Sequence, residues 1–448
     1  MSDLIAIDAA ARPASRPPKL KIAFVADQFS PPVFDGSTFV YKNWIDFLSE
    51  NYSLYAIFFS SYGGDADAAQ RYLAQRCEAH LILPGAPRSR SWKILRAASR
   101  LATGTVFAPR WIEELGRGAI HRLIADFIQR HDLRLFLISK LASVPLFGEV
   151  NFRRPEACFL LDAHDDFVAR ERQDREALSD LFARFPTLRG YPRFRDMRLR
   201  QMLSRLATRR ARAQEARLCT LFDCVLSSSP REHAFYRTAL AGIVPTAHLG
   251  WPPRQEPASR DKCASAVPAP FDAGFIGGDY PFNVAAILFF CTEVLPLIRR
   301  SRPDFRVLVA GHVAEPLAHL GCRWPGVETC GYLPDAQSFY DRVGMIVVPL
   351  LSGTGVSIKT LDALDRGKPV VSTRIGARGL ADGTVHPRLF IADEAEDFAA
   401  KVLALCDGAD TAERRDARHT FTPGTAPSIA FRSAFETLLQ GYGVRCSE

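Results

Sequence analysis

Residues 345–373 read MIVVPLLSGTGVSIKTLDALDRGKPVVST, and the changes of period along this stretch decide the fold. Residues 345–348 are a short unbroken apolar run, the mark of a strand buried on both faces. A loop of small residues follows, Ser352-Gly353-Thr354-Gly355, and residues 359–366 then carry apolar side chains at helical spacing. Residues 369–372, PVVS, form a second buried strand. Strand, loop, helix, strand is the repeating unit of a parallel α/β sheet, because parallel neighbours need a long crossover.

The unit recurs in both directions. Before it come a strand at 273–277 (AGFIG), a helix over 283–299, a strand at 306–310 and another at 327–329. After it come a strand at 389–392 and a helix over 395–405. In the first half, 19–26 (KLKIAFVA) and 52–60 (YSLYAIFFS) are strands around a helix at 38–48, with further strands at 79–83, 133–139, 157–161 and 224–228. Residues 251–270 are rich in Pro, Arg and Ser without periodicity and mark a linker. The chain therefore divides into a mobile leader 1–18, a doubly wound domain 19–250, the linker 251–270, a second such domain 271–425, and a helix within 426–448 that packs back on the first domain.

A length of 448 residues exceeds one hydrophobic core and suits two domains with a cleft. Hydrophobic residues at 47% and charged residues at 24%, with a mean hydropathy of −0.04, are ordinary globular usage. No run of about 18 consecutive apolar residues is present, so no membrane span is expected. The first twenty residues mix Asp3, Asp8, Arg12 and Arg16 with prolines and lack the apolar core of a secretory signal. Ten cysteines without a Cys-x-x-Cys pair fit a reducing cytoplasm. The formal charge of +8 points to an anionic partner.

Ligands of open parallel sheets bind beyond the carboxyl ends of the strands, so the loops there hold the candidate site. Four stand out. Gly36, in the loop before the 38–48 helix, lets backbone approach a ligand, or simply turns the chain with Ser37 as cap. Gly277 and Gly278, before Asp279-Tyr280-Pro281-Phe282-Asn283, offer a nest of backbone donors suited to phosphate, with a plain turn capped by Asn283 as the alternative. In the quoted stretch, Gly353, Thr354, Gly355, Val356 and Ser357 open a helix whose start carries partial positive charge. Lys359 adds a full cation there, and Asp362, on the same helical face, can accept bonds from ribose hydroxyls. The bland reading is an exposed Lys359–Asp362 ion pair. His164, in Asp162-Ala163-His164-Asp165-Asp166 just past a strand, can bond a sugar hydroxyl or help a proton move, or serve structure alone.

These residues resemble the GT-B glycosyltransferases, specifically glycosyltransferase family 4, the group-1 glycosyl transferases. GTGVSIKTLDAL with Gly367-Lys368-Pro369-Val370-Val371-Ser372-Thr373 and Gly376-Ala377-Arg378-Gly379-Leu380 is similar to the family's donor-site helix and next strand. GGDYPFN, VLVAGH with Gly311, and VETCGYLPD are similar as well. In the first domain the likeness rests on Gly36, the Asp-x-His-Asp around His164, and Glu215 before FDCVLSSS. The resemblance implies a GT-B fold, two Rossmann-like doubly wound domains facing a central cleft, with 19–250 binding the acceptor and 271–425 the nucleotide sugar. It implies retaining transfer from a nucleotide-diphosphate sugar with no cofactor and no obligatory metal. Lys359 would neutralise the leaving diphosphate, Gly353, Thr354 and Gly355 would face the donor, Asp362 would hold the ribose, Gly36 would close on the diphosphate or acceptor, and His164 would contact the transferred sugar. Catalysis would rest on His164, Lys359 and Asp362, and donor binding on the glycine loops with Gly311, Asn283, Val356 and Ser357. The chain departs from the family in three places. Asp362 stands for a glutamate, Thr354 for the first glutamate of a pair, and no arginine follows the glycine pair or occupies position 357. Phosphate neutralisation would thus rest on Lys359.

Between Arg184 and Arg217 lie nine further arginines against Asp196 and Glu215. With Trp92, Trp111 and the basic 88–100 region, this stretch can rest on anionic lipid and meet a lipid-linked acceptor, at the inner face of the membrane, or be a solvated helix face. No nucleic-acid motif accompanies the charge, so nucleic acid is not expected as a partner. The leading expectation is a cytoplasmic glycosyltransferase of surface polysaccharide synthesis, acting on a glycan, glycolipid or lipid-linked acceptor. The alternatives are a non-catalytic GT-B-like nucleotide or glycan binder and, last, a sugar-nucleotide epimerase.

Overall fold

The computed structural model describes residues 6–8, 19–27, 29, 36–60, 66–84, 94–95, 98–99, 102, 117–164, 167–198, 211–250, 252, 269–333, 336–380, 386–408 and 426–442. The chain divides into two compact units. Unit 1 comprises Met1–Val168, Met202–Gln255 and Thr425–Glu448, and unit 2 comprises Ala169–Gln201 and Glu256–Gly424. Each is a parallel-sheet α/β domain, the class expected from the alternation of buried runs and helical stretches.

Unit 1 is built on β1 (Ala6–Asp8), β2 (Lys21–Ala26), β3 (Ser53–Ser60), β4 (Ala79–Pro84), β5 (Leu135–Ser139), β6 (Cys158–Ala163), β7 (Cys224–Ser227) and β8 (Thr246–His248), in the order β1-β4-β3-β2-β5-β6-β7-β8. Five consecutive residues of β2 are buried, as a strand covered by helices on both faces requires. All pairings are parallel except β1 with β4, where Ala6 stands opposite Leu81. Residues 6–8 are therefore an edge strand, not part of a mobile leader. Without them β4 would present an open row of backbone donors and acceptors.

The helix Ala426–Gly441 belongs to unit 1. Its Phe431 and Phe435 pack on Trp44 and Phe47 of the helix Gly36–Asn51, with ring centroids 5.0 to 5.8 Å apart.

Unit 2 has β9 (Phe271–Ile276), β10 (Val307–Ala310), β11 (Val327–Cys330), β12 (Val343–Val348), β13 (Val370–Ser372) and β14 (Leu389–Ile391), all parallel, in the order β11-β10-β9-β12-β13-β14. The helical stretch Pro281–Ser301, with a π turn at Phe290–Val294, is long and apolar enough to cross a bilayer by length and composition. Its apolar side chains instead form the centre of the unit 2 core, with Val284, Ile287, Phe290 and Ile298 fully enclosed.

The boundary of the first domain at 19–250 needs correction. Residues 169–201 belong to unit 2, where Leu178, Leu181, Phe182, Leu188, Tyr191 and Phe194 join its core. Apolar residues spaced three and four apart announce a buried helix face, but the spacing carries no information about which core buries it. The linker expected at 251–270 lies outside the described residues apart from 252, 269 and 270.

Candidate functional site

Where strand order reverses in a doubly wound sheet, the two flanking loops leave in opposite directions and open a crevice. In unit 2 the reversal falls between β9 and β12. The loop after β9 carries Gly277, Gly278 and Asn283, and the loop after β12 carries Gly353, Thr354 and Gly355. Lys359 joins them. From the first turn of the helix Ile358–Asp365 its Nζ donates to Asn283 Oδ1 at 2.8 Å, and Asn283 Nδ2 donates to the Gly278 carbonyl at 2.9 Å. The ammonium stands 5.7 Å from the Phe275 ring centroid. Burial, with the charge of Arg378 added to it, draws the Lys359 pKa from 10.5 down to about 7. Such a group gains a proton when an anion arrives.

The glycines permit close approach. Gly311 has φ +88, and a Cβ on it would stand 2.5 Å from the Gly277 carbonyl oxygen, so only glycine lets the ends of β9 and β10 meet. Gly353 has φ +154 and would place a Cβ 2.7 Å from the Arg378 guanidinium carbon. Val356 and Ser357 are buried, Val356 lying under Gly379, with Ser357 accepting no helix-capping bond and its N–H taken by the Arg378 carbonyl. These two side chains face the protein.

Lys359 and Asp362 do not pair with each other. Arg366 Nε donates to Asp362 Oδ1 at 3.0 Å, and Arg366 also bonds Gln337 and lies 4.6 Å from the Tyr340 ring centroid. Asp362 is buried in that arrangement. The bland expectation of an exposed Lys359–Asp362 pair is thus overturned: one side chain crosses the switch point and the other turns along its own helix.

The glycine-pair loop has a cation that the local sequence lacks. Arg193, from the segment carried over in 169–201, forms an ion pair with Asp279 Oδ1 at 2.6 Å and lies 4.7 Å from the Tyr280 ring centroid. Tyr191 brings its hydroxyl within 3.0 Å of Asp279 Oδ2 and 3.1 Å of Glu315 Oε2, so two carboxylates share one proton, and burial with these charges pushes the phenol pKa up. His312 Nδ1 lies 2.7 Å from Glu315 Oε1, and this bond leads the causes that lower the Glu315 pKa. Its ring stacks on Tyr332, 5.8 Å between centroids.

In unit 1 the reversal falls between β2 and β5. Gly36 begins the helix Gly36–Asn51, while residues 31–35 before it lie outside the described residues. Lys140, directly after β5, takes φ +64 and donates from Nζ to Ser37 Oγ at 2.6 Å. His164 follows β6 and is buried. Its Nε2 lies 2.6 Å from Ser139 Oγ and 3.0 Å from Asp162 Oδ2, the oxygen that also accepts from Trp44 Nε1. That ring edge faces inward, while Asp165 and Asp166 lie outside the described residues. Lys140 and Arg193 were missed by sequence reasoning. The glycine loops, Lys359 and Asn283 are brought together, whereas Gly36 stands at the other switch point and His164 at the end of β6, one strand beyond it.

The arginine stretch is partly paired within its own units, as Arg184 with Glu293 at 2.6 Å, Arg193 with Asp279, Arg212 with Glu215 at 4.0 Å and Arg217 with Glu149 at 3.5 Å. Residues 199–210, Trp92 and Trp111 lie outside the described residues. Among the described residues no group of three or more His, Cys, Asp or Glu is arranged to hold a metal.

Residues 270–408 match the family described as "Glycosyl transferases group 1". A stretch of 139 residues is 30% identical to an "Uncharacterized 44.6 kDa protein in cps region" of Klebsiella pneumoniae, covering 29% of this chain and 35% of that one. The match spans about a third of that relative's length. Among solved structures, Anabaena Alr3699/HepE in complex with UDP is similar over 94% of this chain and 100% of its own, with a TM-score of 0.54 at 13% identity. The sucrose-phosphate synthase of Thermosynechococcus elongatus covers the same shares, with a TM-score of 0.57 at 14% identity. These likenesses are of fold. The fold is that of the GT-B glycosyltransferases, and residues 270–408 match a group 1 glycosyl transferase domain.

Proposed function

We propose that the protein is a retaining glycosyltransferase of the family 4 kind, moving a sugar from a nucleotide-diphosphate sugar to a glycan, glycolipid or lipid-linked acceptor. Unit 2 takes the donor and unit 1 the acceptor. The observation that carries this reading is Lys359, half-buried at the unit 2 switch point and joined through Asn283 to the glycine-pair loop. A diphosphate there meets a lysine that gains charge on contact, the start of a helix, and glycines at 277, 278, 353 and 355 that let backbone approach it. Asp362, oriented by Arg366, takes the ribose hydroxyls. On unit 1, Gly36 and Lys140 line the acceptor crevice, and His164 holds its floor through Ser139 and Asp162 or touches the sugar through the rest of its ring.

The UDP held by the Anabaena protein favours a uridine nucleotide, and the cps region of the Klebsiella relative favours surface polysaccharide as the product. The number of arginines between Arg184 and Arg217 favours a peripheral seat on anionic lipid, with the enzyme in the cytoplasm. The test is a thermal-shift and turnover screen against UDP-, GDP- and ADP-sugars. One of them is expected to raise the melting temperature of the wild type and not of Lys359→Ala. An equal rise in Lys359→Ala would remove the site. The buried Asp362–Arg366 pair favours a second reading, a binder without catalysis, which a nucleotide-dependent shift with no sugar turnover would establish.

A further inference from the structure

Arg378 stands 24 residues beyond Thr354 in the chain, yet its guanidinium lies against the loop after β12. Nε donates to the Thr354 carbonyl at 3.0 Å and Nη1 to the Ile375 carbonyl at 2.9 Å, while its own carbonyl accepts from Ser357 N–H at 3.0 Å. Glycine at 353 leaves the room the guanidinium occupies, since a Cβ there would come within 2.7 Å of it. The loop and the arginine are shaped to each other. Lys359 stands within the field of this charge. The other elements against the ammonium, β9 through Phe275 and the helix Pro281–Phe289 through Asn283, bring no charge, and Asp362 on its own helix is turned to Arg366.

Two cations held near each other in a half-buried place repel. A ligand with two adjacent negative charges reverses the sign of the arrangement, and a planar guanidinium binds a phosphate through two N–H groups at once. We propose that Arg378 is the second cation of a nucleoside-diphosphate subsite on unit 2, bracing the Gly353–Gly355 loop and dividing the phosphate charge with Lys359. The proposal rests on the reading of this site as a nucleotide site, and it supplies the cation that the sequence lacks at Ser357.

The test titrates UDP, GDP, ADP and the phosphate-free uridine into wild type, Arg378→Gln and Arg378→Lys between pH 6.5 and 9 by calorimetry. The favoured diphosphate is expected to bind Arg378→Gln about 30-fold more weakly, the scale of a lost charge-assisted bond, with uridine unchanged. The pH at which affinity starts to fall should move up in Arg378→Gln, because Lys359 loses its like-charged neighbour, and should stay put in Arg378→Lys, which regains only part of the affinity. Equal diphosphate affinity in wild type and Arg378→Gln overturns the proposal, as does a loss with an unmoved pH midpoint, which is the mark of a brace alone. Should Arg378→Gln fail to fold, Arg378→Lys decides, with weaker diphosphate and unchanged uridine binding supporting the subsite and undiminished diphosphate binding ending it. A wild type that binds none of the three diphosphates overturns the underlying nucleotide reading, a result distinct from binding that ignores Arg378.

Discussion

Both units put a lysine across the point where their strand order reverses, and they hold it at different cost. In unit 2, Lys359 sits in relaxed helix and the cost is electrostatic, since its ammonium is desolvated and feels the charge of Arg378. In unit 1, Lys140 reaches Ser37 by bending its backbone to φ +64, ψ +143, a region that side chains with a Cβ seldom occupy and that costs on the order of 1–3 kcal/mol. The same topology thus stores unfavourable free energy in a charge on one side and in a torsion on the other. Stored cost of either kind persists where function needs the group, and each predicts a different response to mutation.

The largest expected effect is on ligand binding at the electrostatic switch point. Lys359→Met should weaken nucleoside-diphosphate binding by about 100-fold, as loss of a charge-assisted bond to phosphate does, while leaving the melting temperature of the free protein equal or higher. Lowered stability with intact binding would reverse the comparison. Gly311→Ala should destabilise unit 2 by about 2 kcal/mol or more, read from denaturant unfolding, because both its φ and the Gly277 carbonyl exclude a Cβ.

The third effect is one of pH. Free Lys359 titrates at about 7, and a bound diphosphate raises that value. Binding therefore takes up a proton above pH 7, and affinity should fall up to about tenfold per pH unit from 7 toward 9, with no fall below 7 from this group. Calorimetry in buffers of different ionisation enthalpy reads the proton directly, and Lys359→Met should abolish the uptake. The smallest effect belongs to the torsion. Lys140→Gly should stabilise unit 1 by about 1 kcal/mol, whereas Lys140→Ala, which keeps the strained φ, should not. Equal stabilities for the two variants would mean that the backbone at 140 holds no strain.

Much of this site was legible in the chain itself. Gly277, Gly353, Gly355 and Lys359 announce themselves because a small-residue loop opening a helix after a buried run is a local pattern. Asn283 was readable as part of its loop, though not as the partner of Lys359, which stands 76 residues away. Asp362 was readable as a residue on the Lys359 face, yet its partner is Arg366, since rotamer choice and burial rather than helical spacing decide which way a carboxylate turns. Arg193 was counted as one more charge in a basic run, and only its position beside Asp279 separates it from the others.

Apart from the edge strands β1 and β8, the order of strands, the glycine-rich turns and the doubly wound class followed from the sequence, because period and backbone freedom are properties of neighbouring residues. Which core buried the 169–201 segment, which aromatic cluster received Phe435, and which cations stood over the loop after β12 were settled by the tertiary structure. Those outcomes depend on contacts between residues as far apart as Tyr191 and Asp279, 88 positions along the chain, and no local pattern carries the energy of such a contact.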